Sequence, residues 1–301
     1  MKKTNGKKVF ACLFCLLFLF SSALAEPLTF GSLTFDSDAV SIDLGEQQVK
    51  DWDGFIAFLG QFTRLEKVDM YATLTRKAQA DRLAETFPGI RFGWTLDIAR
   101  GAHTVRTDAE AFSTLHGWCD MHRSGDLEVL KYCTEMKALD LGHNHLTDLS
   151  FLTCMPHLRV LILAGNAHIG SNADTLRELK ELEYLELFGC SIRDVSFLTD
   201  LPNLIDLNLC NNKVVDWTPL KELKQLKRLW VSNLWGIRMP KADQEALLEA
   251  LPDTRIEFRG DPTANGWRDD PHYDIVYEIF HTDRYIPFAE SAPLPGDTED
   301  E

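Results

Sequence analysis

Basic residues are scarce in this chain. Lys and Arg number 31 against 46 Asp and Glu, a formal charge of −15. A field of that sign repels phosphate backbones and anionic bilayers, so it excludes nucleic acid as a partner of the overall surface and favours basic ones. Cysteine is sparse as well: Cys12 and Cys15 near the start, then Cys119, Cys133, Cys154, Cys190 and Cys210. That density excludes a disulfide scaffold. The later five are odd in number, so at least one stands unpaired or bridges two chains. Cys133 and Cys154 are nearly one structural repeat apart but one residue out of phase, which argues against a bridge between them. No Gly-x-Ser-x-Gly, His-Glu-x-x-His, phosphate loop or Cys–His arrangement is present. The expectation is therefore a protein without catalysis and without a cofactor.

Long apolar runs are also missing, with one exception. Lys2, Lys3, Lys7 and Lys8 precede the apolar stretch from Val9 to Phe20, and Ser21-Ser-Ala-Leu-Ala25 ends in a small-residue site before Glu26. This pattern predicts a secretory signal peptide cleaved after Ala25. The run is short for a membrane span. Removing these four lysines takes the charge from −15 to −19. No second apolar segment and no Leu-Pro-x-Thr-Gly sorting signal follow, and the chain ends in Gly296-Asp-Thr-Glu-Asp-Glu301. The expectation is export and release, as a monomer with no membrane span, any retention at the cell surface coming through another partner.

What is abundant is repetition. Leu139, Leu161, Leu185 and Leu207 each open an LxL pair followed by Asn or Cys in the pattern LxLxxN/C, and Leu229 opens the related Leu-Trp-Val231. Their spacings are 22, 24, 22 and 22 residues. A fixed step of that size is the mark of a solenoid, with one short strand and one return segment per coil. The same frame recovers weaker copies. Ile42-Asp-Leu44 has Gln47 at the Asn position, and Val68, Ile90, Phe112 and Ile256 extend the series to about ten coils.

Each recurring position has a physical role. The LxL leucines point inward and stack on those of neighbouring coils, because one coil cannot bury its apolar face alone. At the turn out of the strand stand Asn144, Asn166, Cys190 and Asn212. A buried amide there serves backbone groups that would otherwise lack partners, at a cost of roughly 1–3 kcal/mol each. The return segments Leu146–Leu152, Ile192–Leu198 and Val214–Leu220 carry Asp148, Asp194 and Asp216 just before an apolar turn. There each carboxylate is placed to cap a short helical segment. Once-per-coil recurrence argues for capping rather than acid–base chemistry.

This 22-residue coil with its xDhxxL return resembles the internalin-type and SDS22-like leucine-rich repeats, strongly over 136–235 and loosely over 40–135. The whole chain, with Trp267-Arg and Pro271-His-Tyr273 near its end, is similar to exported leucine-rich repeat proteins of Gram-positive gut bacteria. The resemblance implies a curved parallel sheet on the concave side, short 3₁₀ or α segments on the convex side, and binding of a protein or peptide by the sheet.

The expected layout is an N-terminal cap at 26–39, the repeat domain at 40–258 with an irregular insertion at 95–135, a cap helix at 259–286 and a disordered acidic tail at 287–301. Within the insertion, residues 95–111 alternate in polarity around Arg100-Gly101 as an inserted hairpin or irregular loop would. Trp267 and the helix starting at Pro271 are expected to shield the open end of the solenoid.

The strand residues between the leucines are left for function. In the last three clear copies they become Tyr184, Glu186, Phe188, Asp206, Asn208, Arg228 and Trp230. Aromatics and Arg dominate binding hot spots. Two readings stay open for this patch: a ligand surface, or a seat covered by the C-terminal lid or an inserted loop. His116-Gly-Trp-Cys119-Asp-Met-His122 has metal-like spacing but lacks the second pair that structural zinc demands, so no metal is expected. His143 and His145 flank a ladder Asn and read as loop surface.

Overall fold

A step of 22 residues leaves room for a strand only three residues long, and such strands dominate the structure. The structure, a computed structural model, describes residues 26–115, 121–233, 238–263 and 266–288. The predicted signal segment, His116 and Cys119 of the His/Cys motif, and residues 289–301 lie outside these.

The N-terminal strands β1 (Pro27–Phe30) and β2 (Leu33–Asp36) form an antiparallel hairpin. Its Phe30 and Phe35 pack on Phe55, Phe58 and Phe62, in and just after helix α1 (Trp52–Leu59). Asp51 caps α1 by accepting the Gly54 N–H at 3.0 Å. A first sheet has the order β3 (Ser41–Asp43), β4 (Lys67–Thr75), β5 (Arg91–Ile98), β6 (His103–Arg106). Helix α2 (Lys77–Thr86) returns the chain from β4 to β5 on the convex side. The alternating stretch after residue 95 is a hairpin, with β6 antiparallel to β5.

A second sheet of seven parallel strands holds the regular copies: β7 (Ala111–Ser113), β8 (Ala138–Asp140), β9 (Val160–Ile162), β10 (Tyr184–Glu186), β11 (Asp206–Asn208), β12 (Arg228–Trp230) and β13 (Arg255–Glu257). The short helix α3 (Ser124–Leu127) precedes a 3₁₀ turn. Further 3₁₀ turns return the middle coils at 150–154, 173–178, 196–200 and 218–222. The longer helix α4 (Lys241–Ala250) makes the last return. Registry is that of the repeat: Leu139, Leu161, Leu185, Leu207 and Leu229 lie side by side. All five are buried, as are Leu141, Leu163, Leu187, Leu209 and Val231, and together they form the main core.

Four expectations need correction. Phe92 rather than Ile90 pairs with Val68, because the return through α2, Pro88 and Gly89 sets β5 two residues later. Gln47 does not join the Asn ladder; its amide bonds the exposed Gln48 carbonyl, and Thr73 Oγ1 takes the Val49 N–H at 3.0 Å instead. A register shift in β4 between Met70 and Leu74 makes this possible, since the extra residues carry Thr73 to that depth. The C-terminal helix α5 (Pro271–Thr282) does not shield the end of the stack; it contacts β7 and β8 across the concave face. Finally, order extends past residue 286, for Phe288 is buried beside Tyr184. The four described cysteines, Cys133, Cys154, Cys190 and Cys210, are all free thiols.

Candidate functional site

The strand residues beside the leucines face away from the main core, and in the seven-stranded sheet they build a second one. Ala111, Ala138, Val160, Ile162, Tyr184 and Trp230 meet Trp267, Ile275, Val276, Ile279, Phe280 and Phe288 of the C-terminal segment. Trp267 is fully buried between Tyr184 and Trp230, its ring centroid 5.5 Å from each. Of the two readings open for the seven side chains, a ligand surface or a covered seat, the structure has the covered seat. Tyr184, Glu186, Asp206, Asn208, Arg228 and Trp230 are buried, and Phe188 is half-buried against the same cluster. Aromatic area left in water is costly, and this chain covers it with its own tail.

The polar members are matched as closely as the apolar ones. Arg228 holds Asp206 through two bonds of 2.9 and 3.2 Å, donates to the Trp267 carbonyl at 3.2 Å and lies 3.4 Å from Asp270. Its guanidinium sits 4.2 Å from the Trp267 ring centre. His272 Nδ1 closes on Asp206 at 2.7 Å. Burial works to raise the Asp206 pKa, but the His272 bond and the Arg228 charge outweigh it and hold the carboxyl below its usual range. That bond correspondingly raises His272. Asn208 donates to the Pro262 carbonyl at 3.1 Å and Trp230 to that of Asp261 at 3.2 Å. A buried charge costs heavily unless it is paired, and here the Arg228–Asp206 pair within the sheet is completed from the cap by Asp270 and His272.

Glu186 and Asp140 are also buried but lack such close ion pairs. Trp267 donates to the Tyr184 hydroxyl at 2.7 Å and to Glu186 at 3.2 Å, while Arg268 reaches only 3.9 Å from Glu186. Burial raises the Glu186 pKa against the pull of Arg268, Tyr184 and Trp267. Burial pushes Asp140 up to about 7, with the nearby Glu186 charge adding to it.

The ladder and cap positions do structural work. Asn166 donates to the Leu141 and Leu163 carbonyls at 2.8 and 2.9 Å and accepts from Leu146 N–H at 3.1 Å. Asn212 repeats this with Leu187, Leu209 and Ile192. Asn144 donates to Thr114 and the Leu141 carbonyl and accepts from His122 N–H. Cys190 offers only its thiol, to the Leu163 carbonyl at 3.1 Å. Asp148, Asp194 and Asp216 each accept the N–H two residues on, at 2.8 to 2.9 Å, opening the following 3₁₀ turn. Among the described residues no group of three His, Cys, Asp or Glu could hold a metal, although His122 faces His103 at 3.0 Å between ring nitrogens.

A family model described as Leucine Rich repeats (2 copies) matches residues 180–222, within the register just described. The chain folds as a leucine-rich repeat solenoid. Solved structures with similarity to this repeat chain include an internalin C2 from Listeria monocytogenes, at 26% identity over 43% of this chain and 55% of that one, TM-score 0.38. An internalin F from the same organism has 18% identity over 76% of this chain and 70% of that one, TM-score 0.38. The functional domain of internalin J, also from that organism, has 14% identity over 64% and 43% of the two chains, TM-score 0.40. This chain thus spans little more than half of internalin C2. No curated protein matches this leucine-rich repeat chain in sequence.

The sequence pointed to the right strand residues and left a cover by the C-terminal lid as one of two readings for them. Trp267 was legible as a lid residue. Asp270 and His272 were not, although Asp270-Pro271 is a helix-start signal that fixes both next to the sheet. On β3 to β5 the equivalent positions are Ser41, Asp43, Lys67, Asp69, Arg91 and Gly93, aligned in register. Ser41, Asp43 and Arg91 are exposed there, and Lys67 and Asp69 are half-buried.

Proposed function

We propose that this is an exported, non-catalytic solenoid that binds a protein or peptide partner, and that the partner meets the concave positions of β3 to β5. The observation behind this reading is the division of the concave face. The hot-spot residues of β10 to β12 are occupied by the chain's own cap, while Ser41, Asp43 and Arg91 of the N-terminal strands stay exposed. Stacked coils build extended recognition faces, and the acidic balance of the whole chain favours a basic partner. Export is supported by the basic start, the apolar run and the Ala25 site. Among the described residues no helix is long and apolar enough to cross a membrane.

Purified mature protein, the double variant Ser41→Lys/Asp43→Lys and the cap variant Trp267→Ala would be used side by side in partner capture. A stoichiometric partner held by the native protein and lost by the double variant supports this face. A partner retained by the double variant but gained or lost with Trp267→Ala would move recognition to the capped strands. No stoichiometric partner would favour a structural role in the cell envelope or matrix, which the burial of Tyr184 and Trp230 beneath the cap also fits. Edman sequencing of protein from the culture medium checks export, with Glu26 as the expected first residue.

A further inference from the structure

The sheet is interrupted once, and a cleft lies at the interruption. Strand β5 pairs with β6 rather than β7, so the two sheets part and leave a half-open cleft of about 560 Å³. The stacked rings of Phe92 and Trp94 lie at 5.1 Å and 13°, and Tyr132 meets Trp94 edge-on at 5.4 Å. Tyr71 lies on the cleft wall with the Arg106 guanidinium 3.7 Å from its ring centre.

Gly93 makes the polar part of this cleft. A Cβ at 93 would stand 2.5 Å from both Asp69 Oδ1 and the Tyr71 hydroxyl, so only glycine lets these two oxygens settle on the strand. Two lining groups are left without a hydrogen-bond partner: the acceptor Asp69 Oδ1 and the donor Trp94 Nε1, both buried. Each such group costs roughly 1–3 kcal/mol when unsatisfied. Burial, with the Asp108 and Asp69 charges, pushes the Tyr71 pKa up to about 12, so its hydroxyl keeps the proton as a donor.

The charges of the cleft cancel. Lys67, Arg91 and Lys131 stand against Asp69, Asp108 and Glu135. Most are already engaged: Lys67 with Asp69, Lys131 with Asp81, and Asp108 with Arg106. Arg91 and Glu135, one of each sign, complete the balance, so an ion of either sign meets as much repulsion as attraction. A neutral ligand rich in hydroxyls fits better, since each hydroxyl both donates and accepts. The two unpartnered groups are one acceptor, Asp69 Oδ1, and one donor, Trp94 Nε1, and hydroxyls can serve both. The C–H faces of such a ligand can also rest on the aromatic rings.

We propose that this cleft is a binding site for a neutral carbohydrate of one to three sugar units. The site goes beyond the partner-binding reading and does not depend on it. The test is calorimetric titration of the mature chain with maltotriose, cellotriose and the N-acetylglucosamine trimer. A trigalacturonate arm and a neutral tripeptide arm run alongside. Binding of at least one neutral trisaccharide is expected, with a Kd of about 1 mM or tighter. Asp69→Ala and Gly93→Ala should each weaken it at least tenfold, the second because its methyl displaces Asp69 and Tyr71. Tyr277→Ala, on the exposed side of α5, should leave it unchanged. Circular dichroism confirms that each variant is folded. The proposal is overturned if no neutral sugar binds, if the charged sugar or the tripeptide binds more tightly, or if both cleft variants bind as the native chain does. Loss of partner capture by Ser41→Lys/Asp43→Lys, two exposed positions outside the cleft lining, leaves this result untouched, so the two readings fail separately.

Discussion

The two ends of the solenoid treat the same strand positions in opposite ways. On β10 to β12 the residues between the leucines are aromatic or charged except for Asn208, and every one of them on these strands is buried beneath residues 260–263 and 266–288. On β3 to β5 the corresponding residues are Ser, Asp, Lys, Arg and Gly, and no tail lies on them among the described residues. The lesson is that hot-spot composition in a repeat marks the place where something docks, and the occupant can be the chain itself. The polar end, which composition made inconspicuous, is the one left for a visitor.

The largest effect expected from breaking this contrast is at Trp267. Replacing it by Ala empties the centre of the second core and should cost about 3–5 kcal/mol. Amide exchange should rise across α5 and stay unchanged in β3 to β5. Exchange that rises equally at both ends would mean that the cap also supports the N-terminal sheet.

Titration separates the ends next. Asp140 has its folded pKa raised to about 7 from 3.8, and Glu186 is also raised, both chiefly by burial. The folded state therefore holds protons that the unfolded chain has released, and stability falls as pH rises from about 4 to 7. His272 is raised as well, through its bond to Asp206, so its contribution is present below 6.5 and lost as pH rises further. Asp206, whose pKa is lowered, works the other way, but only as pH falls below 3.8. Urea unfolding at pH 4.5 and 7 should differ by roughly 2–4 kcal/mol, and Asp140→Asn should remove most of that slope. A flat profile in the native protein would show that water reaches these carboxyls.

The ladder contrast is smaller. Asn166→Ala strands the Leu146 N–H and takes one donor from each of the Leu141 and Leu163 carbonyls, which keep others, and should cost about 1–3 kcal/mol in chemical denaturation, whereas Thr73→Ala at the irregular end loses one bond and should cost about 1 kcal/mol. Smallest is Asp194→Ala, which removes an exposed turn cap worth about 0.5–2 kcal/mol, near the low end because the neighbouring 3₁₀ turn keeps its backbone bonds. A loss at Asp194 larger than at Asn166 would reverse the order of burial and bonding on which both figures rest.

Periodicity alone determined a good deal. The leucine step placed β8 to β12 to the residue, because inward packing of identical coils tolerates no slip in a three-residue strand. The Asn and Asp positions were legible for the same reason, since each serves backbone groups of its own or the adjacent coil. The sequence also singled out Tyr184, Arg228 and Trp230 as unlike their counterparts in earlier coils. It was less informative at Ile90 and Gln47, where a longer helical return and an irregular β4 shift the frame without leaving a local mark.

Only the tertiary structure decided which side of the sheet is free. The seat of Trp267 joins residues 83 positions apart, and the Asp206–His272 contact joins residues 66 apart. No repeat period predicts such a pairing, because the tail lies outside the repeat and its position is set by shape and charge matching across the concave face. The cleft at Gly93 is of the same kind. It exists because β5 takes an antiparallel partner where the array called for the next coil, and that choice is made by two strands folding together rather than by either sequence alone.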